Sequence, residues 1–163
     1  MQWGCPVLTT EGFFPETMAL AVPKLFVEKF GMLPLRVAGS RILYLGFADR
    51  LDASAAFVTE QMSELKAESG VVESAQFEVA REQLLACDGV EARQEVLQET
   101  DAMAARITAI LEQQQPVKSR LIRLHQYFWL RIWLERGAFG KVGSLPSTGE
   151  DVADHVFTVG ALA

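Results

Sequence analysis

The chain has 163 residues, of which half are hydrophobic and 22% are charged. This composition supports a folded core and excludes wholesale disorder. No run approaches the ~20 apolar residues of a membrane span, and no basic leader precedes an apolar stretch, so the sequence predicts a cytoplasmic protein without membrane insertion. The net charge of −6 argues against general nucleic-acid binding. The two histidines lack further ligands at helical spacing, and Cys5 and Cys87 lie far apart, so we expect free thiols and no zinc site.

The residues before position 50 predict short helices that lead into a β-hairpin. A short helix opens at Pro15, and Pro23 favours the start of a second one, because the fixed φ of proline suits the first turn of a helix. Alternation over residues 33–37 and the apolar run Ile42–Phe47 indicate two strands. Gly39-Ser40 between them predicts a two-residue type II′ turn.

The middle of the chain predicts a helix, a strand and another helix. Asp52 has the side chain to cap the first helix, in which we expect Phe57 and Val58 to face inward. Leu65 and Ala67 alternate with charged neighbours, Gly70 interrupts the pattern and Val71-Val72 follow, which predicts a short strand and a turn. Ser74 is the capping candidate for the second helix.

The last third of the chain predicts a long helix, a long strand and a returning strand. Residues 91–115 have a helical pattern that ends at Pro116, and Thr100-Asp101 could divide it into two helices. Residues 120–134 alternate between apolar residues and basic or aromatic residues, which favours one long strand. Residues 137–149 are rich in glycine and serine and predict a loop, after which residues 155–159 can return as a partner strand.

Together these elements predict an α+β fold in two units. Residues 1–89 form the first, a small mixed sheet with helices packed on it. Residues 90–163 form the second, a helix and a strand hairpin rich in Trp and Arg, packed on the first. Residues 1–14 show no clear period and start abruptly, so we expect the chain to be cut from a longer protein.

One face of the predicted long strand is the candidate binding surface. Counted with period two, this face carries Arg123, His125, Tyr127, Trp129, Arg131 and Trp133. Guanidinium and aromatic groups that alternate on a strand can stack a base and pair with a phosphate. The same groups can instead cover a neighbouring element, or pair across strands by stacking and cation–π contacts. They are also the residues that protein interfaces favour, so the sequence leaves three interpretations open.

No motif in the sequence indicates catalysis. Residues 137–141 resemble a phosphate-binding loop only superficially, because the spacing differs and Val142 stands where Ser or Thr is required. A Gly-x-Ser-x-Gly elbow is absent from the sequence. The sequence therefore predicts a protein that is not an enzyme and carries no cofactor.

Two consecutive segments resemble a known family. The first reads Val22-Pro-Lys-Leu-Phe-Val-Glu-Lys-Phe-Gly-Met-Leu-Pro-Leu35, and the second reads Ile42-Leu-Tyr-Leu-Gly-Phe-Ala-Asp-Arg-Leu-Asp52. They are similar to the N-terminal domain of type II secretion and type IV pilus assembly ATPases, the family that includes cyclic di-GMP-binding variants. In that family a proline-led helix precedes a Leu-Pro-Leu strand and a strand ending in Ala-x-Asp-Pro-Leu-Asp. Arg50 replaces the last proline, and the resemblance covers about residues 2–85.

The resemblance implies a cytosolic adaptor or regulatory module. In the family this domain docks on a secretion or pilus assembly platform, often through the cytoplasmic part of a membrane protein. The paired Arg-Leu-Gly motifs that hold cyclic di-GMP and the Walker-type motor are both missing from this sequence, so the resemblance implies neither activity here. The alternative is a receptor for a nucleotide second messenger such as cyclic di-GMP, using the Arg/aromatic face of residues 120–134. If that strand is an uncovered edge, a homo-oligomer is a further possibility.

Overall fold

The computed structural model describes residues 6–39, 41–135, 145–146 and 148–160. These residues form two four-stranded sheets and five α-helices, which confirms the predicted α+β class. Within the described part of the chain, every helix is too short or too polar to cross a bilayer.

The first sheet belongs to the N-terminal half of the chain. Its strands are β1 (Val7–Leu8), β2 (Met32–Ala38), β3 (Ile42–Phe47) and β4 (Lys66–Val72). They lie in the order β1-β4-β3-β2, with β2 and β3 antiparallel and the other pairs parallel. The predicted hairpin is confirmed, although residues 39–41, three rather than two, join its strands. Ser40 of the predicted turn lies outside the described residues.

Four helices accompany this sheet. They are α1 (Pro15–Met18), α2 (Lys24–Phe30), α3 (Ala53–Ser63) and α4 (Ser74–Ala86). Asp52 caps α3 as predicted, since its carboxylate accepts a hydrogen bond from the Ala55 N–H at 3.0 Å. The cap of α4 is Glu73 and not Ser74, because the Glu73 carboxylate accepts from the first free N–H groups of that helix.

The prediction that Phe57 faces inward is wrong. Its side chain is 60% exposed, whereas Val58 is buried. The sheet side of α3 is set by Ala55, Val58 and Met62, which recur at helical spacing. Successive helix residues differ by about 100° in direction, so Phe57 cannot share that side.

The second sheet is built from the C-terminal half. Its strands are β5 (Glu91–Leu97), β6 (Lys118–Leu124), β7 (Tyr127–Trp133) and β8 (Val152–Val159). They lie in the order β5-β8-β7-β6, in which only β5 and β8 are parallel. Helix α5 (Thr100–Gln114) packs on one face of this sheet. The predicted returning strand is confirmed as β8, whereas most of the predicted 137–149 loop lies outside the described residues.

Two predictions for this half are wrong. The helix expected over residues 91–115 begins only at Thr100, because residues 91–97 pair with β8 as a strand. The single long strand expected over residues 120–134 is a hairpin that turns at His125-Gln126, where Leu124 faces Tyr127. His125 adopts a φ of +53°, a left-handed conformation that histidine tolerates better than most residues.

The second sheet lies between α5 and the N-terminal half. On one face, Met103 and Ile110 of α5 pack against Leu130, Ile132 and Phe157. On the other face, Trp129, Trp133 and Val156 join the core of the N-terminal half, which includes Phe26 and Leu33. The two halves therefore share one continuous hydrophobic core.

Candidate functional site

The turn at His125-Gln126 redistributes the six candidate residues. Residues that face each other across an antiparallel pair lie on the same side of the sheet, so the pair Leu124–Tyr127 places Leu124 on the side of Trp129. Arg123 lies on the opposite side with its partner Phe128. The period-two count therefore holds within each strand and fails across the turn.

Three of the six candidate residues belong to the protein core. Trp129, Arg131 and Trp133 each expose 0% of their surface. The Arg131 guanidinium binds the Asp154 carboxylate in a bidentate manner, with Nε to Oδ1 at 2.8 Å and Nη2 to Oδ2 at 2.9 Å. The Trp129 indole N–H donates to the same Oδ1 at 2.9 Å. Arg131 also donates to the backbone oxygen of Ala21 at 3.3 Å, which ties the second sheet to the N-terminal half.

Two aromatic members of the face, Tyr127 and Trp129, pack against α2. Trp129 meets Phe26 edge-on, with ring centroids 5.4 Å apart. Tyr127 lies 5.9 Å from Phe26 and 5.8 Å from Phe30. Of the three interpretations left open by the sequence, the structure shows the second for these residues: they cover a neighbouring element through ring and cation–π contacts.

Arg123 and His125 are the two candidate residues that remain exposed. The His125 ring lies 4.9 Å from the Phe30 ring, and its Nε2 lies 2.9 Å from Oδ2 of Asp52. Arg123 donates from Nε to the backbone oxygen of His125 at 2.9 Å, and its guanidinium lies 5.5 Å from the Phe128 ring. Both side chains are therefore held in place although they face solvent.

These two residues line a shallow groove of about 530 Å³ at the junction of the two halves. The opposite wall is the first part of α3, with Ala53, Ser54 and the exposed ring of Phe57. Sequence reasoning missed Phe57 because it assigned both Phe57 and Val58 to the core. The available signal was the helical period, which allows only one of two successive residues to face the sheet.

The electrostatics of the groove depend on Asp52. Burial by itself raises the pKa of the Asp52 carboxyl, but hydrogen bonds from the Ala55 N–H and from His125 outweigh it and hold this pKa below its ordinary value. The carboxylate of Asp52 is thus ionised near neutral pH, and it already binds the N-terminus of α3 and His125. Arg123 lines the groove as its cationic group.

A larger cleft of about 810 Å³ lies at the end of the second sheet where β5 and β8 begin. Its lining mixes cations and anions, among them Lys24, Asp88 and Glu150, together with His155. His155 is 7% exposed, and its Nδ1 has no hydrogen-bond partner. Among the residues described, no group of three or more His, Cys, Asp or Glu side chains is placed to hold a metal ion. Cys87 is a free thiol, and Cys5 lies outside the described residues.

Comparison with known proteins assigns no family. No protein-family model matches the chain, and no curated protein matches it either. The two segments that resemble secretion and pilus assembly ATPases fold as α2, the β2–β3 hairpin and the residues that lead into α3. Membership of that family stays a prediction.

Proposed function

We propose that this chain is a protein-interaction module that docks a partner in the groove between α3 and the β6–β7 turn. The observation that carries the proposal is the exposed ring of Phe57 beside the guanidinium of Arg123. Following the resemblance, the partner is the cytoplasmic part of a membrane protein in a secretion or pilus assembly platform. The module itself acts in the cytoplasm as an adaptor or regulatory domain.

The residue types in the groove suit an interface. Burying a phenylalanine side chain contributes about 1.5–3 kcal/mol, and Phe57 keeps most of its surface available for a partner. Aromatic residues and arginine are enriched in interfaces, where a few such residues carry most of the binding energy. The fitting partner presents an apolar side chain for Phe57 and a carboxylate for Arg123.

The groove is also organised before a partner arrives. Arg123 is held by the His125 carbonyl and lies against Phe128, while His125 is held by Asp52 and Phe30. Side chains that are already ordered lose less conformational entropy on binding. A groove built from both halves of the chain also depends on their packing, which suits a regulatory element.

The local fold supports the resemblance on which the partner class depends. A helix packed on the β2–β3 hairpin is the arrangement that the resemblance requires. Phe26 and Val27 of α2 are buried in one core cluster with Leu33, Leu35 and Leu45 of the hairpin.

The alternative function, a nucleotide second-messenger receptor, receives less support. It needs the Arg/aromatic face of residues 120–134 to stack a base. Trp129 and Trp133 have no exposed surface for stacking, and Arg131 is fully engaged by Asp154 and Ala21. Only Arg123 and His125 of the predicted set, with half-buried Tyr127, retain exposed surface.

The proposal is tested with the purified chain as bait for detergent-solubilised membranes and cytosol of the source cell. Captured proteins are identified by mass spectrometry, and their cytoplasmic domains are then purified for direct titration. Phe57→Ala and Arg123→Glu are the test variants. Phe14→Ala and Arg41→Glu are the matched controls, because Phe14 and Arg41 are exposed elsewhere on the molecule.

We expect a platform membrane protein to bind the wild-type chain and both controls, and to bind each test variant at least tenfold more weakly. Equal binding by test and control variants would overturn the proposed groove. Binding of cyclic di-GMP by the chain, lost in Arg123→Glu, would favour the alternative function instead.

A further inference from the structure

Strand β5 has an open hydrogen-bonding edge. It is the terminal strand of the second sheet and pairs with β8 alone among the strands that the structure describes. Leu97 lies opposite Val159, and its carbonyl accepts from the Gly160 N–H at 2.9 Å. In a parallel pair both backbone groups of one residue point to the same neighbour, so the odd-numbered residues of β5 bond to β8. The residues that turn their N–H and C=O groups outward are therefore Ala92, Gln94 and Val96.

The other strands at sheet edges carry features that discourage pairing with a second chain. Strand β1 has only two residues, and β2 contains Pro34 and an irregularity between Pro34 and Arg36. Strand β6 carries three cations, Lys118, Arg120 and Arg123, so a second copy would place like charges together. Short length, proline, irregular pairing and charge are the usual protections of an edge. Strand β5 has seven regular residues whose charges are of both signs.

The sequence of β5 is complementary to itself in one antiparallel register. With a two-fold axis at Gln94, Arg93 lies opposite Glu95 of the second copy, and Glu95 lies opposite Arg93 of the second copy. These two pairs are of the non-hydrogen-bonded type, in which facing side chains approach most closely. A shift by one residue would place Arg93 opposite Val96 and lose both charge pairs.

The same register also pairs the apolar residues and the backbone. Ala92 lies opposite Val96 of the second copy, and both side chains are now exposed, Val96 by 56%. The outward N–H and C=O groups of residues 92, 94 and 96 fall on the hydrogen-bonded positions of this register. One arrangement thus satisfies the open backbone groups and covers the exposed apolar side chains. Within one chain Arg93 already lies 3.3 Å from Glu91, and Glu95 accepts from Nε of Arg106 at 3.0 Å, so the pairs between the copies add to these contacts.

We propose that two copies of this chain associate through antiparallel β5–β5 pairing about a two-fold axis at Gln94. The two second sheets then form one continuous sheet of eight strands. The interface is the same patch on both copies, so the assembly closes as a dimer. This inference does not depend on the proposed docking function, because β5 is separate from the groove at Phe57 and Arg123.

The first experiment tests the backbone hydrogen bonds of the proposed β5–β5 pair by a substitution at Gln94, whose N–H points outward. Gln94→Pro removes this donor without removing a bond to β8, and proline is tolerated where the N–H of an edge strand faces solvent. Gln94→Ala retains the donor and is the matched control. Masses of the full 163-residue chain are measured by light scattering and by sedimentation velocity over a range of micromolar concentrations.

We expect twice the 18.0 kDa mass of one chain for the wild type and for Gln94→Ala, and the single mass for a folded Gln94→Pro. A wild-type chain that stays at the single mass throughout would overturn the proposal. So would a Gln94→Pro variant that dimerises as tightly as Gln94→Ala.

A charge exchange tests the register. In a dimer of Arg93→Glu both pairs between the copies are Glu–Glu, and in a dimer of Glu95→Lys both are Arg–Lys, so each variant alone is expected to lose the dimer. Glu95→Lys also removes the ion pair of Glu95 with Arg106 in its own chain. Mixed together they restore both opposite-charge pairs, and we expect a heterodimer at twice the single mass. Circular dichroism verifies that each variant is folded before mixing. Folded variants that fail to associate on mixing would overturn the register centred on Gln94.

Discussion

Nε2 of His125 lies 2.9 Å from Oδ2 of Asp52, a residue 73 positions earlier in the chain. The other carboxylate oxygen, Oδ1, accepts the Ala55 N–H at 3.0 Å and so caps α3. The side chain of Asp52 therefore caps the N-terminus of α3 in the N-terminal half and also binds His125 in the β6–β7 turn of the C-terminal half. The groove lined by Phe57 and Arg123 lies directly beside this connection.

Substitutions of Asp52 separate its two contacts. Asp52→Ala removes both the cap and the partner of His125, and we expect a loss of about 1–2 kcal/mol in the free energy of unfolding. Asp52→Asn keeps a good capping side chain and removes the charge, so its loss should be well under that of Asp52→Ala. Urea denaturation measures both, with Asp49→Asn as an exposed control. Equal losses for the alanine and asparagine variants would contradict the separate role of the cap.

The Asp52 contacts also predict an acid-sensitive contribution to stability. Because hydrogen bonds lower the pKa of Asp52 in the folded protein, the stabilisation is present above the ordinary aspartate pKa of about 3.9 and is lost as pH falls through the folded value. The stability difference between wild type and Asp52→Asn should therefore shrink below about pH 4. Urea denaturation at a series of pH values tests this, and a difference that stays constant or widens in acid would contradict it.

Close backbone approach predicts a strong effect at Gly149. A Cβ atom there would lie 2.5 Å from the backbone oxygen of Gly89, and one on Gly89 would lie 2.9 Å from that of Ala19. Gly149→Ala must separate these backbone segments, and we expect a loss of about 1–3 kcal/mol in the free energy of unfolding. Thr148→Ala, an exposed neighbour, should change it by less than about 0.5 kcal/mol. Similar melting curves for the two variants would contradict this close approach.

Burial of His155 predicts a second pH dependence, with a different window. Burial, and then the nearby Arg106, lower the pKa of His155, and this outweighs the opposite effect of Glu95. The unfolded chain therefore takes up a proton first as pH falls below about 6.5, and stability decreases with it. His155→Leu removes this titratable group and should therefore flatten the dependence of stability on pH between about pH 7 and 5. The substitution breaks no hydrogen bond of Nδ1, because that atom has no partner.

The control for this prediction is His125→Gln, which removes the other histidine and keeps His155. Its unfolding free energy should still decline over the same pH range. A His155→Leu protein that declines as steeply as the wild type would show that other groups cause the effect.

The fold of the N-terminal half follows from local patterns. The proline-led helix α2, the apolar strands of the hairpin and the Asp52 cap each depend on residues close together in sequence, so the sequence alone predicts them. Strand β5 differs, because Glu91-Ala-Arg-Gln-Glu is rich in good helix formers and only its pairing with β8 makes it a strand. Such tertiary effects cannot be read from a local window.

The sequence predicts only part of the candidate site, because the turn that divides β6 from β7 carries no clear sequence signal. The turn at His125-Gln126 contains no Gly, Asn or Asp, which are the residues that mark a tight hairpin. Without that signal, one alternating pattern was continued through two strands. That pattern puts Trp129 and Arg131 on the face of Arg123, whereas in the structure Trp129 and Arg131 share one face and Arg123 lies on the other. Arg123 and His125 were found, whereas Phe57 required knowing which side of α3 faces the sheet.

The buried ion pair predicts that two substitutions together cost less than one. Arg131 and Asp154 are fully buried, and the carboxylate also accepts the Trp129 indole N–H. Asp154→Leu leaves the Arg131 charge without its partner in the core, and we expect a loss of about 3–5 kcal/mol in the free energy of unfolding. The double variant Arg131→Met/Asp154→Leu removes both charges and fills similar volume. Its loss should be smaller than that of Asp154→Leu, with the unpaired Trp129 N–H and the carbonyl of Ala21 as the remaining costs.

A double-mutant cycle completed with Arg131→Met measures the coupling energy of the pair by urea denaturation. Lys66→Met/Glu68→Leu is the matched control, because that pair is exposed, at 3.3 Å, and its coupling should be at most about 1 kcal/mol. Losses that simply add in the Arg131–Asp154 cycle would contradict the bidentate contact. A strong coupling would show that Arg131, chosen as part of a binding face, is instead a core residue that joins β7 to β8.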